Sequence, residues 1–179
     1  MKRILLYALL ASCFITVDSF GQTVIINGKS TDRKLTWEDF KATPDATSTY
    51  WAYTGYLVRY RYADVKIFSD SMTIGIFEVM VELDPARTWA KMDKVSDELL
   101  IHEQGHFNIG ILCGREILAT FKQTRFEISK YRDQMRSIFQ EILRKYIEMG
   151  QQYDSETEHF RNKKEQERWN AWIAERLCK

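Results

Sequence analysis

The 179 residues contain three histidines, and two of them, His102 and His106, stand four apart in the run LLIHEQGHFNIG with Glu103 after the first. On a helix, positions i and i+4 lie one turn apart on the same face, so the two imidazoles can hold one cation between them. The residue after the first histidine is rotated by about 100°. That sets the Glu103 carboxylate beside the cation, where it can take a proton from an activated water. The HExxH pattern thus describes a hydrolytic mechanism as well as a string. Imidazole ligands with a carboxylate base point to Zn2+ as the cofactor. Gly105, inside the motif, leaves room for a substrate or a packed strand to approach the helix backbone.

A catalytic zinc site takes three protein ligands and keeps one position for water. His159, the remaining histidine, is a candidate for the third ligand. It lies in the polar run QYDSETEHF, beyond a helical excursion long enough to return the chain to the motif. Carboxylates compete with it. Glu127 follows His106 at about the spacing of the third ligand in the thermolysin-like group, and Glu116 and Asp154 are further candidates. Asp154 has a second possible role, orienting a histidine ligand from behind. Tyr153 is a candidate donor to the oxyanion of a tetrahedral intermediate, or an ordinary packed tyrosine.

The elements that must position these residues follow from hydrophobic periodicity. Residues 23–84 read as strands and turns. TVIINGKS is a strand closed by Asn27-Gly28, STDRKLTWEDF leads into a short element around Trp37 and Phe40, and KATPDATST is a loop. YWAYTGYLVRYRYADV alternates, with Tyr56, Val58, Tyr60 and Tyr62 on one side; in MTIGIFEVMVELD the apolar face is Phe77, Val79, Val81 and Leu83. Residues 93–178 are helical in pattern. One apolar stripe runs from Val95 through Leu99, His102 and His106 to Phe121, and a second from Ile128 to Met149. Thr124 and Glu127 have capping-box spacing, so a new helix is expected there, with Gly150 as its stop. Trp169, Trp172, Ile173 and Leu177 give the last helix its apolar side.

Residues 1–21 read as a signal peptide: Lys2 and Arg3 precede an apolar stretch too short to span a bilayer, and Ser19 and Gly21 are small residues before a cut at Gln22. LASC also resembles a lipobox, which would lipidate Cys13 and anchor the protein in the outer membrane. Both readings send the chain out of the cytoplasm, as a secreted or periplasmic protein with no transmembrane helix once mature. Residues 22–179 then form a single domain. A net charge of +1 gives no basic surface for nucleic acid. Cys113 and Cys178 remain after cleavage, either paired or as free thiols.

The runs LTWEDFKATPD, Thr88-Trp89, LLIHEQGHFNIG, QYDSETEH and EQERWNAWI resemble, in that order, a bacterial family of unknown function (domain of unknown function 922), described as zincin-like secreted Zn-dependent proteases. The resemblance begins at about Leu35. Its most specific parts are HEQGHF and YD-x-x-T-x-H, which fall here on Tyr153, Asp154, Thr157 and His159. It implies His159 as a site residue. The family pattern has glycine after that histidine, where this chain has Phe160.

These readings give an α+β, zincin-like fold: a small N-terminal antiparallel sheet packed on a long HExxH-bearing helix, with further C-terminal helices. The expected function is a zinc-dependent metallopeptidase acting on a peptide or protein. His102, His106 and His159 would be its metal ligands, Glu103 the general base and Tyr153 a catalytic donor. The strand from Ile74 to Leu83 would be the edge that takes up a peptide. Two alternatives use the same residues: a zinc amidohydrolase acting on another envelope component such as peptidoglycan, and a non-catalytic, metal-stabilised envelope binding module with Tyr50–Tyr62 as its binding face.

Overall fold

The computed structural model describes residues 19–178. Most of the expected leader, with Cys13, lies outside the described residues. Strand β1 (Ser19–Ile26) turns through Asn27 and Gly28, both at positive φ, into β2 (Lys29–Ser30). Two successive left-handed residues make the tight hairpin that an Asn-Gly pair encodes. A 3-10 helix (Trp37–Asp39) and the expected loop lead to β3 (Ala52–Tyr53), which is followed by the long strands β4 (Tyr56–Ile67) and β5 (Ser71–Leu83) and by β6 (Trp89–Ala90). Then come α1 (Asp97–Gln123), β7 (Phe126–Glu127), α2 (Tyr131–Thr157) and α3 (Lys163–Leu177). No described helix is long and apolar enough to cross a membrane.

The fold is α+β, with the main sheet in the order β2-β1-β5-β4 and β7 on β5. The sheet is mixed rather than antiparallel, because β1 runs parallel to β5. Alternation in a sequence tells which face of a strand is buried and says nothing about the direction of its neighbour. The alternation itself is correct: Phe77, Val79, Val81 and Leu83 of β5 are fully buried and face the helices. However, β5 is flanked by β1 and β4, so it offers no free edge for a peptide along most of its length. The opposite face is solvated and carries the ion pairs Arg59–Glu82 and Arg61–Glu78.

Helix α1 lies between this sheet and the other two helices, and its Phe107, Ile109, Leu112, Cys113, Ile117 and Phe121 are all buried. Ser96 caps it by accepting from the Leu99 N–H. Thr124 closes α1 instead of opening the next helix: its N–H donates to Phe121 O and its hydroxyl to Thr120 O. Residues 126–127 pair with β5 at Met72 and Ser71. That tertiary pairing overrides the local capping signal, and Glu127 accepts from Ser129 and Lys130 instead. Gly150 does not stop α2. The apolar stripe of Ile142 and Tyr146 continues through Tyr153 and Thr157, and this packing outweighs the roughly 1 kcal/mol that glycine costs inside a helix. The run QYDSET is therefore helix, not connector. Cys113 is buried and Cys178 exposed, and both are free thiols.

Two sites test this packing. A Cβ on Gly105 would sit 2.2 Å from the Tyr153 hydroxyl oxygen, so a packed helix, not a strand, is what the glycine admits. Gly105→Ala is expected to destabilise the protein by about 1–3 kcal/mol, read as a lower urea midpoint at unchanged slope. Below β1, the buried Asp39 carboxylate accepts from Arg33, Asn27 and the Thr36 N–H. Burial alone would raise its pKa, but these donors hold it below the usual carboxylate range. A depressed pKa adds stability above the unfolded-state value of about 3.9 and loses it as pH falls further. The stability gap between wild type and Asp39→Asn, about 1.5–3 kcal/mol at neutral pH, should close as pH drops below 4.

Candidate metal centre

The first three turns of α1, the end of α2 with the residues that follow it, and the β3 segment line a pocket of about 360 Å³. His102, Glu103, His106, Asp154 and His159 line it together with Tyr50, Trp51, Tyr53, Thr54, Phe160 and Arg161. The structure thus brings together all three histidines, the motif glutamate and Asp154. Glu127 lies on β7, exposed and outside this pocket, and Glu116 accepts from Lys145 and Tyr146 on the far part of α1. Neither reaches the histidines.

Three imidazole nitrogens converge on one carboxylate oxygen. Asp154 Oδ1 lies 3.1 Å from His102 Nε2, 2.9 Å from His106 Nε2 and 3.2 Å from His159 Nδ1. Donor atoms of His102, Asp154 and His159 all fall within 4.8 Å of one another, a spacing a metal ion can bridge, and His106 lies outside that group. Burial alone would raise the pKa of Asp154, but the His102 and His106 bonds hold it far below the carboxylate range. Burial would lower that of His106, and the Asp154 carboxylate reverses the shift upward.

His102 is fixed from behind. Its Nδ1 lies 3.0 Å from Gln166 Oε1 on α3. The Gln166 amide nitrogen donates to the Tyr153 hydroxyl at 2.6 Å and to Asn170 at 2.9 Å, which leaves its oxygen facing the imidazole as an acceptor. In the neutral ring the hydrogen then sits on Nδ1 and the Nε2 lone pair faces the centre, whereas in the imidazolium both nitrogens donate. Tyr153 is buried behind the same histidine. Its ring stacks on His102 at 4.6 Å and its hydroxyl donates to the His102 carbonyl. With that hydroxyl engaged behind α1 and absent from the pocket lining, the structure gives Tyr153 a positioning place and not the one an oxyanion donor needs.

Glu103 is turned toward the pocket beside the histidines, as the helical rotation requires, and is 3% exposed. Thr54, just after β3, donates to its Oε2 at 2.6 Å. Thr88 fixes that segment: its hydroxyl donates to the Gly55 carbonyl and accepts from the Gly55 N–H. Trp89 and Ala90 of β6 pair with Tyr53 and Ala52 of β3, so the Thr88-Trp89 pair supports the segment that lines the pocket.

His159 reaches the centre through three consecutive left-handed residues: Glu158, His159 and Phe160, at φ 50°, 51° and 74°. Each such non-glycine residue is strained by roughly 1–2 kcal/mol. Phe160 occupies the kind of position that glycine takes freely. Its ring packs on Trp51 at 5.6 Å and joins the buried cluster beneath, which offsets part of the strain. Tyr50 packs on the His159 ring at 4.6 Å from the solvent side.

The bacterial family of unknown function DUF922 matches residues 23–160, most of the chain, and the protein belongs to that family. The match takes in all three histidines, Glu103 and Asp154; it leaves out α3, which carries Gln166 and the run EQERWNAWI. No curated protein and no solved structure matches the chain.

Gln166 and Thr54 are the site residues that sequence reasoning missed. For Gln166 a signal existed: a glutamine one turn before Trp169 on the inward stripe of an otherwise apolar helix face. Thr54 had none, because its role depends on where β3 lies in space. A metal bound at this centre would be held about 10–100-fold less tightly when Gln166 is replaced by Leu, measured by competition with a chelator, and equally tightly in Glu127→Ala.

Proposed function

We propose that this protein is a zinc-dependent peptidase acting outside the cytoplasm. The observation that carries the reading is the convergence of three imidazoles and a carboxylate beside Glu103. His102 Nε2, His106 Nε2 and His159 Nδ1 lie 2.9–3.2 Å from one Asp154 oxygen. A protonated ring nitrogen can donate to that oxygen, and a divalent ion would replace those protons and draw on the same lone pairs. A donor set of imidazoles and a carboxylate suits zinc.

Zinc held by His102, His106 and His159 would supply Lewis acidity, polarising a carbonyl and acidifying a water. The chain's own groups do the rest. Glu103 takes the proton of the attacking water and returns it to the leaving amine. Thr54 holds one carboxylate oxygen of Glu103, which fixes the direction in which the other can accept. Tyr50 and Tyr53 line the pocket and replace Tyr153 as candidate donors to an oxyanion. Trp51 and Phe160 give the pocket an apolar wall suited to a peptide side chain. The leader read from the N-terminal sequence supports an extracytoplasmic setting.

The binding-module reading keeps one specific support: with Asp154, four protein donors meet, as in a structural zinc site. Glu103 separates the two. Elemental analysis should find about one zinc per chain in wild type and in Glu103→Gln, and little in His159→Ala. Hydrolysis of a peptide library should fall at least about 100-fold in Glu103→Gln. Zinc retained with no hydrolysis by wild type favours the binding module; no zinc in wild type after exposure to the metal overturns both readings.

A further inference from the structure

We infer that Asp154 is a fourth, displaceable ligand that caps the metal centre in its resting state, so that the position facing Glu103 opens to water or substrate only when this carboxylate swings away. The inference rests on the metal-centre reading above and adds a role for one residue.

The side of the ring decides it. A carboxylate that orients a histidine ligand from behind bonds the nitrogen that does not touch the metal. At His102 that place is held by Gln166 on Nδ1, whereas Asp154 faces Nε2. At His106 it also faces Nε2. Asp154 therefore stands on the metal side of both motif histidines. Its Oδ1 lies 2.9–3.2 Å from the three nitrogens. Neighbouring ligand atoms on a tetrahedral zinc with bonds of about 2.0–2.1 Å are separated by roughly 3.3 Å. The oxygen thus lies within ligand-to-ligand reach of all three nitrogens, and it shares with His102 and His159 the group of donor atoms within 4.8 Å of one another, with His106 outside that group.

Displacement follows from how the carboxylate is held. All three contacts of Oδ1 are to the imidazoles, and no described residue bonds Oδ2. The side chain is 32% exposed and lines the open pocket. Its backbone is firm, since the Asp154 carbonyl accepts from the Glu158 and His159 N–H groups in the last turn of α2. A side-chain rotation alone, with no movement of α2, would clear the position.

The test is spectroscopic and needs no substrate. The purified protein is loaded with Co2+ and titrated with 2-mercaptoethanol, whose thiolate gives a charge-transfer band when it binds cobalt. A cap closed most of the time reduces the apparent affinity for an incoming ligand by the open fraction. The band should appear at thiol concentrations at least about tenfold lower in Asp154→Asn than in wild type. Asp154→Ala should behave the same way, with circular dichroism showing that the variants are folded; wild type should still give the band at high thiol, because the ligand is displaceable. Equal titrations of wild type and Asp154→Asn overturn the cap while leaving the metal centre intact. A wild type that never gives the band has a fixed fourth ligand and overturns displacement. A wild type that takes up no cobalt or zinc fails at the earlier step, the metal-centre reading itself, and takes the cap with it.

Discussion

Histidines and a glutamate occupy positions on α1 where a central helix would otherwise carry hydrocarbon, and burying them without partners would be prohibitive. The surroundings of the site follow from meeting that demand. His102 is 2% exposed and Glu103 3%, yet no buried side-chain polar atom among the described residues is left without a hydrogen bond. Gln166 and Tyr153 serve His102, Thr54 serves Glu103, and Asp154 serves the imidazoles from the pocket side. They come from α3, from the end of α2 and from the residue after β3. The site is therefore as rigid as the packing of α1, α2, α3 and β3 together.

That dependence explains the length of α2. Both α1 and α2 have 27 residues, and they run antiparallel, so the last turn of α2 comes back to the first turns of α1. An earlier stop, at Gly150, would leave Tyr153 and Asp154 outside the centre. A Cβ at Gly150 would meet His106 Nδ1 at 3.9 Å, an ordinary contact, so the helix passes close to that histidine there. Past the helix, three left-handed residues turn the chain so that His159 faces the same point. The strain of that turn is held by Phe160 against Trp51 below and by Tyr50 over the His159 ring. Backbone strain of this kind concentrates at functional sites, where surrounding structure over-determines it.

The carboxylate of Asp154 links the catalytic and the structural views of the centre. Three imidazole nitrogens close round its Oδ1, and its rotation would leave the three histidines and an open pocket beside Glu103. A structural zinc site has no need of a buried glutamate held by a threonine, nor of a pocket at its fourth position. The aromatic wall from the β3 segment adds a surface for a ligand's apolar groups.

Local periodicity decided a good deal. The hairpin at Asn27-Gly28, the buried face of β5, the inward stripe of α1 and the apolar side of α3 were all legible, because each depends on a repeat or a turn preference within a few residues. The pairing of His102 and His106 on one helix face, with Glu103 turned aside, was legible for the same reason. Tertiary structure decided the rest. The parallel pairing of β1 with β5, the strand at residues 126–127 in place of a helix cap, and the continuation of α2 past Gly150 each set a long-range contact against a local preference, and the contact won. Two of the groups around the motif were also beyond the sequence: Gln166 and Thr54 lie 64 and 49 residues from their partners on α1. Nothing in a linear chain records which distant side chain will face a given ring nitrogen, since that follows only from how sheet and helices pack.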